Sequence, residues 1–396
     1  MKDFTLPVPQ RVSSVDAYRG FVMLLMMAEV LRFSKVAEAF PDSSFWAFIG
    51  FQQSHVSWVG CSLHDLIQPS FSFLVGVALP YSIASRATNQ QNRSVMWAHT
   101  IRRSLILIFL GIFLRSMHRD QTNFTFEDTL TQIGLGYPVL FALGFRSERI
   151  QWTALIIILV IYGTFFAIYP LPNQYFDWAE TGTTADWEHN LNGFAAHWNK
   201  NTNAAWGFDR WFLNLFPREK PFRFNGGGYS TLSFIPTLGT MTLGLIAGQW
   251  LRNTTSSSLL IKRFVTTAAI LFVISVSLNL LGINPIVKRI WTPAWTLFSG
   301  GWCFLLLAGF YYIVDIKQNK SWFTVLIVIG TNSIAAYILA DTLSGFIDNS
   351  FRIHIGQNYD LIFGEGYRSL VSGGIVLLVE FWILYSMYKK KIFIKI

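Results

Sequence analysis

The stretch HVSWVGCSLHDLIQPSFSFLVGVALPYS, residues 55–82, decides how the rest of the chain is read. Its second half belongs to an apolar run long enough to cross a bilayer as a helix, which takes about 20 residues. Its first half sets His55, His64 and Asp65 at the mouth of that run. Ionisable groups at such a depth are expensive and call for a partner or a function.

The same apolar pattern recurs outward from this segment. The chain has 396 residues, of which 52% are hydrophobic and 13% charged. The recurrence predicts an all-α, polytopic integral membrane protein of about ten spans. They centre on Met26, Leu74, Phe109, Pro138, Ile158, Gly244, Leu271, Leu306, Ile334 and Leu377, and form one transmembrane domain over residues 1–396. Span four is interrupted by Gly134, Gly136 and Pro138, a pattern that suits backbone lining a cavity rather than facing lipid. The first span is not read as a cleaved signal, because Asp16 and Arg19 interrupt its start and no small-residue cleavage site ends it. The longest extramembrane piece is an aromatic loop over residues 170–229, with Trp178, Trp187, Trp198, Trp206 and Trp211.

The net charge of +9 follows topology rather than a nucleic-acid patch. Basic residues fill alternate short connections: Arg86 to Arg103, Arg146 with Arg149, Arg252 to Arg263, and Lys317 with Lys320. Lys389, Lys390, Lys391 and Lys395 close the chain. The positive-inside rule then places both termini in the cytoplasm, with His55 and the 170–229 loop outside.

A few polar residues could carry chemistry. Asp16 and Arg19, three apart on one helix face, can pair; the pair either anchors the helix end or offers Arg19 to a phosphate. Glu29 near the outer end of span one either pairs with Arg32 or faces a polar interior. His55 suits a general base. Asp65, ten residues on, either orients that histidine, as acidic residues do in catalytic triads, or caps span two. The spacings of His55, His64 and Asp65 match no common zinc signature, so no metal is expected. Cys61 reads as a small apolar filler, and no disulfide with Cys303 is expected. The loop aromatics either stack on sugar faces or form an interfacial belt.

Residues 55–82 also resemble the transmembrane acetyltransferases of the heparan-α-glucosaminide N-acetyltransferase family. The matching positions are His55, Ser57, Trp58, Gly60, Ser62, Asp65 and Pro69. VDAYRGFVMLLMM, from Val15, is similar to the family's first helix. STLSFIPTLGTMTLGLIAG from Ser230, KRIWTPAWTLFSG from Lys288 and IGTNSIAAYILAD from Ile329 are similar to three further blocks. The resemblance implies a divergent bacterial-type member in an inner membrane, moving acetyl from cytoplasmic acetyl-CoA to a glucosamine-type amino sugar or glycan on the far side. His55 falls on the family's catalytic histidine, with Asp65 or Glu29 to orient it. Arg19, Arg102 and Arg103, with Asn332 at the family's asparagine position, are the expected donor contacts. His64, Trp58 and Trp295 are the expected acceptor contacts. Val30 and Val59 stand where the family has asparagines, and His64 where it has a small residue; these departures cluster where the acceptor should bind. A secondary transporter of amino sugars and an envelope polysaccharide O-acetyltransferase are the competing readings, and a homodimer is left open.

The charge pattern makes a direct prediction. Cysteine introduced at Asn203 should label from outside intact cells, and cysteine at Asn89 only after the membrane is permeabilised. Labelling of position 203 from the cytoplasmic side alone would reverse the topology.

Overall fold

The computed structural model describes residues 12–394. Among them the regular elements are helices. In chain order these are α1 (Ser13–Met27), α2 (Phe33–Ala39), α3 (Ser44–Gln52), α4 (Ile67–Thr88), α5 (Arg93–Ser116), α6 (Thr129–Leu143), α7 (Glu148–Ala167) and α8 (Ala204–Phe212). There follow α9 (Phe234–Asn253), α10 (Ser257–Leu280), α11 (Pro293–Phe310), α12 (Thr324–Thr331), α13 (Ser333–Thr342), α14 (Ser344–His354) and α15 (Arg368–Lys389). Seven helical segments among the described residues are long and apolar enough to cross a membrane, and α12 with α13, bent by 72°, makes up to eight. The expected spans around Met26 and Pro138 are the 15-residue helices α1 and α6, shorter than the roughly 20 residues a full crossing needs.

The chain divides into two compact units, one holding Ser72–Ala308 and the other holding Ser13–Phe71 with the chain from Gly309 onward. Helix association in lipid lacks the hydrophobic drive available in water, so close backbone approach has to hold the helices together. Glycines provide it in each unit. In the first, a Cβ at Gly76 would overlap the Met241 carbonyl of α9, and one at Gly244 or Gly248 would overlap the Phe73 or Val77 carbonyl of α4. In the second, Gly20 of α1 lies against the Leu326 carbonyl of α12, and Gly330 of α12 lies against the Asp16 carbonyl.

The 170–229 loop is folded rather than irregular. Asparagines do there what apolar residues do in an ordinary core. Asn203 accepts from the Ala205 and Trp206 amides at 3.0 and 3.1 Å and so caps α8; it is itself 1% exposed, so the topology label for this loop belongs at exposed Tyr175 instead. Asn201, in the left-handed region at φ 53°, donates to the Thr181 and Asn225 carbonyls at 2.8 and 2.9 Å. Trp198 is buried and stacks on Phe166 at 4.6 Å. Trp206 is buried too and donates to the Arg223 carbonyl at 2.9 Å. These two tryptophans are packing residues of the loop and not part of an interfacial belt, whereas Trp211 is exposed.

In the second unit Tyr18 of α1 donates to Ser70 Oγ at 2.8 Å and stacks on Phe310 at 5.3 Å. The bend between α12 and α13 falls at Asn332. Its Nδ2 donates to the Ile392 carbonyl at 2.9 Å, and its Oδ1 accepts from the Ile394 amide at 3.1 Å. Both ends of the side-chain amide are thus taken up by the C-terminal tail.

The α4–α9 contact yields a stability test. Gly244→Ala forces a methyl into the Phe73 carbonyl and should destabilise the protein by about 1–3 kcal/mol, as overpacking does. Gly309→Ala, where an added Cβ meets open space, should stay within about 0.5 kcal/mol. Thermal unfolding in detergent measures both, and equal effects would contradict the packing.

Candidate active site

Helix α3 begins at Ser43, whose side chain accepts from the Trp46 amide at 3.4 Å. Beyond its end the chain turns, carries residues 53–63 as a loop, and enters α4 through a 3-10 turn, His64–Leu66. Two glutamines shape this loop. Gln52 Oε1 accepts from the Leu63 amide at 2.9 Å. Gln53 accepts from the Phe33 amide at 2.7 Å and donates to the Ala28 carbonyl at 2.6 Å.

Asp65 is the centre of the loop. It is 1% exposed, and a carboxylate so enclosed must be given donors. The sequence around it provides them. The Ser62 amide donates to Oδ2 at 3.1 Å and the Val56 amide at 3.3 Å. The Ser62 hydroxyl lies 3.0 Å from the same oxygen. The other oxygen, Oδ1, meets His55 Nδ1 at 2.8 Å. A carboxylate oxygen accepts, so Nδ1 carries the hydrogen, and the basic lone pair of neutral His55 is on Nε2. Asp65 also stabilises the imidazolium that forms when Nε2 takes a proton. The His55 side chain keeps 35% of its surface accessible, so the base is reachable while its orienting partner is not.

The other expected residues around this loop join the arrangement unequally. His64 is buried, with its ring 4.6 Å from that of His55 and tilted by 50°. Its Nε2 lies 3.8 Å from Glu29 Oε2. Glu29 is 69% exposed at the side chain, on a 3-10 turn, Ala28–Leu31, that follows α1. Of the two carboxylates expected to orient His55, the structure brings Asp65 to the ring; Glu29 reaches His64 instead. Trp58 is 1% exposed and lies inside the loop's packing. Among the described residues no three His, Cys, Asp or Glu side chains are grouped to hold a metal.

Arg19 meets Asp16 at 3.5 Å, three residues back on α1. On α5, Arg103 donates to Tyr137 Oη at 3.1 Å and lies over that ring at 4.7 Å, while its neighbour Arg102 is exposed. Trp295 is completely buried in α11, and its indole nitrogen has no hydrogen-bond partner among the described residues. The sequence reading did not give Ser62, Gln52 and Gln53 their roles. Ser62 could have been found, because a hydroxyl three residues before Asp65 is a local capping arrangement. The glutamine contacts are between loops and leave no periodic trace.

No family model matches the chain. Two curated proteins do, along almost all of it. Heparan-alpha-glucosaminide N-acetyltransferase of Homo sapiens is 24% identical over 98% of the chain, and that of Mus musculus 22% identical over 98%. The chain spans 60% of the length of each. The chain is thus distantly similar, over almost its whole length, to two heparan-alpha-glucosaminide N-acetyltransferases.

Proposed function

We propose that this protein is a membrane acetyltransferase that moves acetyl from acetyl-CoA to the amine of an amino sugar or glycan on the extracytoplasmic side, with His55 as the base. The observation that carries the reading is the 2.8 Å contact between His55 Nδ1 and buried Asp65. Support comes from the named activity of the two relatives. His55 Nε2 takes a proton from the acceptor amine as its nitrogen attacks the thioester carbonyl. The C–N bond forms, the C–S bond breaks, and the CoA thiolate leaves and is protonated from His55. In the covalent variant of this scheme Nε2 attacks the thioester itself, and the acetyl-imidazole then passes its acetyl to the amine. Arg19, Arg102 and Arg103 are the side chains assigned to the donor's phosphates, for which a guanidinium is the matched partner. Asn332, the remaining expected donor contact, bonds to the C-terminal tail through both ends of its amide.

The donor assignment is tested by equilibrium binding of CoA to purified protein. Arg102→Ala with Arg103→Ala should weaken binding by tenfold or more, as loss of charge-assisted contacts does. Unchanged affinity would remove both residues, and absence of CoA binding by the unaltered protein would favour a transporter.

The catalytic assignment is tested by turnover of labelled acetyl-CoA with a panel of amino sugars. His55→Ala should lose about two to four orders of magnitude in rate while still binding CoA. Asp65→Asn should lose less, because the amide oxygen can still accept from Nδ1–H even though it no longer balances the imidazolium. His64→Ala should be milder than either. A folded, CoA-binding His55→Ala protein that keeps a large share of its rate would sink the mechanism.

A further inference from the structure

The acetyl-transfer scheme leaves a second polar centre unused. It lies wholly in the first unit, beneath the folded loop, where two cavities share the walls Arg119, Arg218, Phe222 and Phe224. The inner one has a volume of about 210 Å³ and is bordered by Glu127 and Asp209. The outer one, about 790 Å³, adds Lys220 and Arg223 at its rim.

Asp209 is 2% exposed. Its Oδ2 accepts from the Thr231 amide at 3.0 Å and the Thr231 hydroxyl also faces the carboxyl, but its buried Oδ1 makes no well-formed hydrogen bond among the described residues. A buried polar atom left so costs about 1–3 kcal/mol and calls for an explanation. Glu127 accepts from Asn225 Nδ2 at 3.5 Å and from its own backbone amide. Arg218 is braced by the Phe124 carbonyl at 3.2 Å. Burial pushes both carboxyls upward, Asp209 to about 7. Burial thus weakens the negative charge on the floor, while Arg119, Arg218, Lys220 and Arg223, against the single carboxylate Glu219, leave the outer cavity with an excess of positive charge.

This chemistry describes a ligand with two ends. One end offers hydroxyl donors to Asp209 and Glu127 and an apolar face to Phe222 and Phe224. The other carries negative charge to Arg119, Arg218 and Lys220. We propose that the two cavities are a saccharide subsite for a sugar ring bearing an anionic group, whether carboxylate or phosphate. The ring sits in the inner cavity over Asp209, and the anionic group lies in the outer one. The site stands independently of the acetyl-transfer reading, because no residue of the His55 loop contributes to it.

The test is saturation-transfer NMR on the full chain in detergent, with glucuronate, glucose 6-phosphate and glucose as probes. One or both acidic sugars should bind at least tenfold more tightly than glucose, and the pair separates carboxylate from phosphate as the preferred group. Arg119→Gln with Lys220→Gln, both at exposed positions, should bring the acidic sugars down to the affinity of glucose and leave glucose unchanged. Asp209→Asn, which can still accept from the Thr231 amide, should weaken all three. His55→Ala should change nothing, whatever it does to acetyl transfer. Binding lost in His55→Ala but kept in the Arg119–Lys220 double variant would move the sugar to the other site and overturn the proposal. Glucose binding as tightly as both acidic sugars, or no binding of any probe to the unaltered protein, would overturn it too.

Discussion

A carboxylate inside an apolar chain is stable only where donors enclose it, and Asp65 shows how much local structure that requirement dictates. Its two oxygens need several N–H or O–H groups converging from a short stretch of chain. The Val56 and Ser62 amides both reach Oδ2, so the loop must fold back on the start of α4. Once it has done so, His55 is delivered to Oδ1 as the remaining donor. The imidazole's orientation and tautomer follow from solving a solvation problem. An imidazole held this way has little freedom left to lose, which is what the role of positioned base proposed for it requires.

The blocks of sequence that resembled a known family turn out to divide by task. The His55–Pro69 block holds the imidazole–carboxylate pair on which the proposed function rests. The other blocks hold helices in place. Gly20 and Gly330 bring α1 and α12 to backbone contact, and Gly244 and Gly248 do the same for α9 against α4. Thr292 donates to the Pro285 carbonyl at 2.7 Å and accepts from the Trp295 amide at 3.1 Å, which closes the turn into α11. In lipid such contacts tolerate few substitutes.

Legibility in the sequence followed the length scale of each signal. Hydropathy over about 20 residues gave the helical, membrane-spanning class, but it could not tell a full crossing from the shorter α1 and α6, nor see the 72° bend within the expected span at Ile334. The His55–Asp65 partnership was visible as two residues ten apart beside an apolar run. That Asp65 rather than Glu29 meets the imidazole depends on a loop closure that no periodicity records. The 170–229 segment was the least legible part. Its fold is built from side-chain amides bonded to distant carbonyls, such as Asn201 to Thr181 and Asn225, and from tryptophans used as core. In composition these residues look like a polar, aromatic loop at an interface.

The bent α12–α13 pair bears on the choice between an enzyme and a transporter. Broken helices in transporters commonly place unsatisfied backbone or side-chain groups against a substrate and shift as access alternates. Here the polar side chain at the break is spent within the protein: Asn332 is 1% exposed, and both ends of its amide are bonded to the tail at Ile392 and Ile394. Two residues away, Gly330 is locked against the backbone of α1. Moving this break would sacrifice both tail bonds and the close contact together, leaving a buried amide without partners at a cost of about 1–3 kcal/mol. A break fastened on both sides serves better as a fixed corner than as a hinge. A fixed corner is what an acyltransferase asks of its scaffold, since its chemistry depends on holding a base and two substrates in register rather than on exchanging one face of the membrane for the other.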